Sequence, residues 1–208
     1  MAFDGMVVAN LTSDFSQKLT GGKISKIAQP EKDELLFTIK NNKETYRLQI
    51  SASASLPFIY FTNNKPSPLT APNFCMLLRK HIGSARILKV SQPGLERIIE
   101  FELEHLDEMG DLCRKRLIVE LMGKHSNIIF CKEDGTILDS IKHVSAQVSS
   151  VREVLPGRTY FIPHTTEKED PLTITEEAFH TLMKEASSPV QKALYQKLTG
   201  ISPVIGTE

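Results

Sequence analysis

The chain has 208 residues, no net formal charge and an apolar fraction of 40%, the make-up of a folded water-soluble body with enough length to bury a real core. No apolar run reaches membrane-spanning length and the first residues lack a secretory leader pattern, so the expected location is the cytoplasm, with no membrane partner. Its three cysteines, Cys75, Cys113 and Cys131, show no CxxC spacing and encode neither a disulfide framework nor a zinc knuckle; no metal or cofactor is expected.

Phe3, Val7, Leu11, Phe15 and Leu19 recur at intervals of four and predict a first helix, ended by Gly21-Gly22. Four strand-like runs follow, at residues 23–28, 35–40, 44–51 and 58–61, with the Asn41-Asn42 pair suited to a hairpin turn. Residues 63–72 hold three prolines and read as an irregular connector. Pro72 then suits the first turn of a helix whose inner side carries Phe74, Leu77, Leu78 and Ile82, with Gly83 at its end and Arg79 and Lys80 outward. Residues 86–92 and 97–103 read as strands joined through Pro93-Gly94, and 104–111 as a polar loop.

From Arg114 to Val144 three consecutive strands are expected, the last two forming a hairpin across Glu133-Asp134-Gly135. Between the first two lies the polar, glycine-led segment Met122-Gly123-Lys124-His125-Ser126-Asn127, which core packing does not explain. After a polar linker at 145–150 and an extended or turn segment around Leu155-Pro156-Gly157, residues 164–170 read as loose and charged. Two short helices follow, capped by Thr175 and by Ser188 with Pro189 in the first turn. Strands and helices do not alternate as βαβ units require. The expected class is therefore α+β, a mainly antiparallel, β-sandwich-like body with flanking helices over residues 1–163, then a linker and short helical segment over 164–208 that begins another region.

Charge is unevenly placed. Arg79, Lys80, Arg86, Lys89 and Arg97 face one acid, Glu96, in the same stretch, while Glu100, Glu102, Glu104, Asp107, Glu108 and Asp111 follow with no Lys or Arg among them. Two readings stay open: one surface that attracts phosphate and one that repels it, or solvated faces of neighbouring strands.

Several motifs closely resemble the N-terminal domain of the NFACT family: Phe3-Asp4-Gly5-Met6, Gly22-Lys23-Ile24 to Gln29-Pro30, Phe74-Cys75-Met76-Leu77-Leu78-Arg79-Lys80-His81, Glu120-Leu121-Met122-Gly123-Lys124-His125-Ser126-Asn127, Ile141-Lys142-His143 and Val154-Leu155-Pro156-Gly157. The resemblance runs from Met1 to about Tyr160 and more weakly to Ser202-Pro203, where that family's helix-hairpin-helix region begins. It implies a non-enzymatic translation factor that binds large ribosomal subunits still holding peptidyl-tRNA, recruits alanyl-tRNA and supports C-terminal alanine tailing. It also implies that the N-terminal domain grips the tRNA anticodon arm through an Asp-Arg pair. The matching positions are Glu96 and Arg97, so the arginine is kept and the carboxylate sits one methylene further out, a shift larger than a hydrogen bond tolerates unless the backbone compensates.

The tRNA-binding residues implied are Glu96, Arg97, Glu120, Met122, Gly123, Lys124, His125, Ser126 and Asn127, with Arg79 and Lys80 as further basic residues facing nucleic acid. An anticodon loop offers unstacked bases and phosphates, for which forked donors, a carboxylate or amide and a close-approach glycine are suited. For His125 and Asn127 a role in bonding local backbone competes with direct contact, and Arg79 and Lys80 also read as a solvated helix face. Two other functions compete. The family's architecture is similar to the N-terminal domain of formamidopyrimidine-type DNA glycosylases, but their N-terminal proline nucleophile with an adjacent glutamate has no counterpart in Met1-Ala2-Phe3-Asp4, so no lyase activity is expected. Fibronectin is a possible second partner, from an older family name, although no fibronectin-binding tandem repeat occurs.

Overall fold

A computed structural model describes residues 3–64, 71–163 and 167–208. The N-terminal Met1-Ala2, part of the proline-rich connector and part of the segment at 164–170 lie outside the described residues. Helix α1 (Gly5–Leu19) opens on Asp4, whose Oδ1 accepts the Val7 N–H at 2.9 Å. Its buried stripe is Val8, Thr12, Phe15 and Leu19 rather than the expected fourfold series. Every fourth residue drifts about 40° around a helix of 3.6 residues per turn, so no single face can hold all of Phe3, Val7, Leu11, Phe15 and Leu19. Phe3 and Leu11 pack as partly buried flanks.

The first meander is β1 (Lys23–Ala28), β2 (Glu34–Asn41), β3 (Glu44–Ser51) and β4 (Phe58–Phe61), all antiparallel. The β2–β3 turn sits one residue later than Asn41-Asn42: Asn42 and Lys43 take φ of 48° and 69°, the left-handed pair a two-residue hairpin needs. Asn41 is used elsewhere, its Nδ2 donating to the Lys18 and Thr20 carbonyls at 2.8 and 3.1 Å and so closing the end of α1.

Helix α2 (Asn73–Ile82) buries Phe74, Cys75, Leu78 and Ile82 and takes Pro72 as its cap. The second meander is β5 (Arg86–Ser91), β6 (Ile98–Leu106), β7 (Leu112–Glu120), β8 (Asn127–Lys132) and β9 (Ile137–Ser140). Strand β6 runs three residues past the expected end, shortening the loop to 107–111. The two meanders join where Lys23 pairs with Arg86, flanked by the bonds Ile24 N–H to Ala85 O and Ile87 N–H to Gly22 O, giving one antiparallel sheet in the order β4-β3-β2-β1-β5-β6-β7-β8-β9. A single apolar cluster spans both meanders and both helices, from Ile24, Phe37 and Ile59 to Phe101, Val119 and Phe130, and α1 lies across the seam with Val8, Phe15 and Leu19 in it. Each such side chain contributes about 1.5–3 kcal/mol on burial, which the few seam hydrogen bonds could not match. The fold is α+β, an antiparallel sheet with flanking helices, as the strand periodicity requires.

The charges segregated along the chain are mixed again by the sheet. Glu100 receives the Arg116 guanidinium in a two-pronged contact, Lys89 faces Glu102 at 3.6 Å and Arg114 faces Glu104 at 3.9 Å. Cross-strand pairing of this kind leaves β6 as a neutralised strand, in line with the second of the two charge readings.

On the opposite face of β6–β9 a smaller cluster joins Ile98, Ile118, Ile129, Cys131, Ile137 and Val154, roofed by Val144, Tyr160 and Ile162. Residues 154–160 follow the outer edge of β9 through the bonds Ile137 N–H to Arg158 O and Tyr160 N–H to Gly135 O, at 2.8 and 2.9 Å, which covers an edge that would otherwise be open to pairing. Burial pushes the Cys131 thiol up to about 12, so it stays protonated and unreactive at ordinary pH. In the native protein a thiol-labelling reagent at pH 8.5 should modify half-exposed Cys113 and spare buried Cys75 and Cys131, all three reacting after unfolding. Because the unfolded thiol ionises first, Cys131 favours the folded state below about pH 9, and that contribution is lost as pH rises towards 12.

The last helices are α3 (Glu176–Lys184), capped by the Thr175 hydroxyl accepting from Ala178 N–H, α4 (Val190–Lys197) and α5 (Pro203–Thr207). Pro189, not Ser188, is the cap of α4; Ser188 Oγ instead lies 3.4 Å from Gln196 Oε1. Glu169 pairs with Leu198 in a parallel bridge, and the following turn reaches back to the first residues of α1: Gly5 N–H donates to Gly200 O at 2.8 Å and Ser202 Oγ to Asp4 Oδ2 at 2.6 Å.

Candidate nucleic-acid interface

The ends of β6 and β7 that lie beside α1 start and finish the two segments singled out in the sequence. Ile98 pairs with Glu120, and the Leu121 N–H donates to the Arg97 carbonyl at 2.8 Å, so the turn before β6 and the glycine-led turn after β7 emerge side by side. Gly123 opens a single 3₁₀ turn, Gly123–His125, at φ 57°, with open space where a Cβ would stand. A side chain there would meet backbone strain, not a collision. Ser126 Oγ accepts the Met122 N–H at 2.9 Å and closes the turn from within.

These two turns form one wall of a cleft of about 880 Å³. Most of the remaining lining comes from 142–154 and from 199–203. Arg97, Lys124 and His125 are exposed in the cleft, and half-buried Glu96 lines it as well. Lys142, His143, Arg152 and Lys168 also line it, but their polar ends are bonded within the protein, to Ala52 O, Asp139, Glu120 and Tyr195 O in turn, while Met122, Val148 and Val151 supply apolar surface. Exposed Arg97 and Lys124 beside such apolar patches can hold phosphates by charge and unstacked bases by contact.

Of the residues put forward from the sequence, Glu96, Arg97, Met122, Lys124, His125, Ser126 and Asn127 line this cleft, and Gly123 lies within its wall. Asn127 and Ser126 are buried there by local backbone duties. Asn127 Nδ2 donates to Lys142 O while its Oδ1 accepts from Ile128 and Lys142 N–H, which stitches β8 to the bend after β9.

Glu120 must be corrected as a contact residue. Its side chain is fully buried, paired with the Arg152 guanidinium and accepting the Tyr160 hydroxyl at 3.0 Å. Arg152 also donates to Phe161 O at 2.7 Å and stacks over the Tyr160 ring. Burial, followed by the Glu120 carboxylate, pushes the Tyr160 phenol well above its ordinary value, which keeps it a donor. The cluster thereby ties the end of β7 to the segment 152–161.

Arg79 and Lys80 also lie away from the cleft. The Arg79 Nε donates to the Ile27 carbonyl at 2.8 Å, fastening α2 to β1, and Lys80 pairs with Glu108 at 2.9 Å. Position on an exposed helix face is legible from spacing; the acceptor that a long side chain finds across the fold is not.

Residues 4–208 match the model of the NFACT N-terminal and middle domains. The chain belongs to the NFACT family. Among the relatives of this NFACT chain, the Rqc2 homolog RqcH of Bacillus subtilis is 36% identical over 210 residues, covering 100% of the chain and 37% of that protein. The RqcH of Streptococcus suis is 37% identical over 204 residues, covering 97% of the chain and again 37% of the relative. The NFACT chain thus spans little more than a third of the length of these relatives. Among solved structures, the N-terminal part of the fibronectin/fibrinogen-binding protein of Streptococcus suis has a TM-score of 0.90 at 34% identity, covering 100% of this chain and 78% of that one. The N-terminal domain of the fibronectin-binding protein PavA of Streptococcus pneumoniae has a TM-score of 0.88 at 32% identity, covering 99% and 77%.

Several residues of the NFACT cleft were not singled out from the sequence: Lys142, His143, Arg152 and Lys168. The Ile141-Lys142-His143 motif was a usable signal, but a site assembled from four separated segments has no spacing to read. Among the described residues no helix is long and apolar enough to cross a membrane, and no group of three or more His, Cys, Asp or Glu residues is placed to hold a metal ion.

Proposed function

We propose that this cleft grips the anticodon arm of a tRNA, and that the chain is the N-terminal part of a ribosome quality-control factor which performs no covalent chemistry itself. In this reading the full protein brings alanyl-tRNA to stalled large ribosomal subunits for C-terminal alanine tailing. The observation that carries it is the convergence of exposed Arg97, Lys124 and His125 from two separate turns on one cleft beside Glu96. The RqcH relatives, and the mammalian ribosome quality control complex subunit NEMF at 21% identity, support the setting. Lys124 and Arg97 supply charge to phosphates, and Glu96 offers an acceptor for a base edge.

An electrophoretic shift of the 208-residue chain with an alanine tRNA anticodon stem-loop tests this across a salt series. Binding should weaken steadily as salt rises, with a log-log slope of about −0.7 per phosphate contact. Absence of a shift at low salt, or a salt-independent one, would remove the RNA reading. The solved neighbours named for fibronectin binding favour a second partner, fibronectin. Surface plasmon resonance on immobilised fibronectin measures it independently, and competition by the stem-loop would place both ligands on one surface.

A further inference from the structure

The turn that carries Glu96 and Arg97 is held from behind by groups that do not face the cleft. Pro93 O accepts the Glu96 N–H at 3.0 Å, which closes the turn but leaves the outgoing carbonyl of Glu96 to be satisfied. Gln92 does this. Its Nε2 donates one hydrogen to Glu96 O at 2.8 Å and the other to Gly5 O, at the start of α1, at 2.9 Å. One side-chain amide thus fixes the turn to the helix terminus with both of its hydrogens committed.

The same helix terminus is where the C-terminal segment docks. A Cβ on Gly5 would stand 2.2 Å from the Leu95 carbonyl oxygen and 2.6 Å from Gly200 Cα, and a Cβ on Gly200 would stand 2.2 Å from that same Leu95 oxygen. Gly94, in the middle of the turn, has the Asp170 carboxylate 2.8 Å from where its Cβ would be. Leu95 is therefore sandwiched between two glycines 195 positions apart, and the Asp4-Gly5 motif serves as the joint: Asp4 caps α1 with one oxygen and receives Ser202 with the other. Side chains at these contacts would force the layers apart.

We propose that Gln92 is a positioning residue for the Arg97 turn, and that through Gly5 it links the docking of the C-terminal segment to the affinity of the cleft for RNA. The proposal rests on the RNA-binding reading above. It gives Gln92 and Gly5 a part in recognition although neither lines the cleft, and gives Gly200, which does line it, a second part as a docking point.

The test is a double-mutant cycle on the 208-residue chain with the anticodon stem-loop as probe, read by fluorescence anisotropy well below the melting temperature. Gln92→Met keeps side-chain length and removes both donors, and should weaken binding about fivefold or more, the equivalent of one or two lost hydrogen bonds. In an Arg97→Ala background the same change should alter affinity by less than about twofold, because its effect passes through Arg97. Gly200→Ala, which cannot be seated without lifting the segment off Leu95, should lower affinity in the same direction. Wild-type affinity for Gln92→Met while Arg97→Ala is weakened would overturn this proposal and leave the RNA reading intact. An equal loss in both backgrounds, or a lowered melting temperature with unchanged affinity, would make Gln92 a packing residue only and overturn it as well. Indifference of wild-type binding to Arg97→Ala would instead remove the RNA reading itself.

Discussion

Arg97→Ala should weaken binding of the anticodon stem-loop by roughly ten- to a hundredfold, since a guanidinium that bonds a base edge or phosphate is worth about 1–3 kcal/mol. The melting temperature should stay within about one degree of wild type, because an exposed substitution away from caps and cores rarely moves stability. The structural part of this residue is its backbone: the carbonyl that accepts the Leu121 N–H is present whatever the side chain. Measured in a salt series, the variant should also show a shallower slope, by about 0.7, if the contact is to a phosphate of a single-stranded loop. A variant that melts lower in proportion to its loss of affinity would make Arg97 a structural residue and leave the cleft without its principal cation.

The largest effect on stability is expected from Arg152→Ala. Removing the guanidinium strands the fully buried Glu120 carboxylate beside the Tyr160 hydroxyl, its other described partner. Breaking a buried pair from one side costs about 3–5 kcal/mol, or roughly 6–20 °C in melting temperature for a chain of this size. The cost reflects the orphaned charge, not the net worth of the pair. Replacing both partners at once, Glu120→Gln with Arg152→Met, should therefore cost less than Arg152→Ala alone. Thermal melts by circular dichroism decide it: a single variant within about 1 kcal/mol of wild type would mean that the pair is solvated after all.

Most strands were legible because alternation survives where one face of the sheet meets the main core: Leu35, Phe37 and Ile39, or Ile99, Phe101 and Leu103, point the same way wherever the strand ends up. What escaped was whatever depends on a distant partner. Asn41 looked like a turn residue and is instead the acceptor's match for the end of α1; Glu120 looked like part of a binding motif and is spent on Arg152, thirty-two positions away. The cleft was half legible. Its two turns stood out because glycine and polar residues interrupt apolar runs, whereas in the rest of the lining, from 142–154 and 199–203, only the Ile141-Lys142-His143 motif offered a local mark. The charged stretches around β6 show the converse failure, a pattern conspicuous in one dimension that pairing cancels in three.

The bond between Ser202 and Asp4 joins residues 198 positions apart. A growing polypeptide emerges from its N-terminus, and pieces of sheet can pair as soon as neighbouring strands are available. The cleft cannot be completed at that stage, since part of its lining, residues 199–203, has yet to be translated. The sheet can therefore form first, and the complete cleft only once residue 202 has left the exit tunnel.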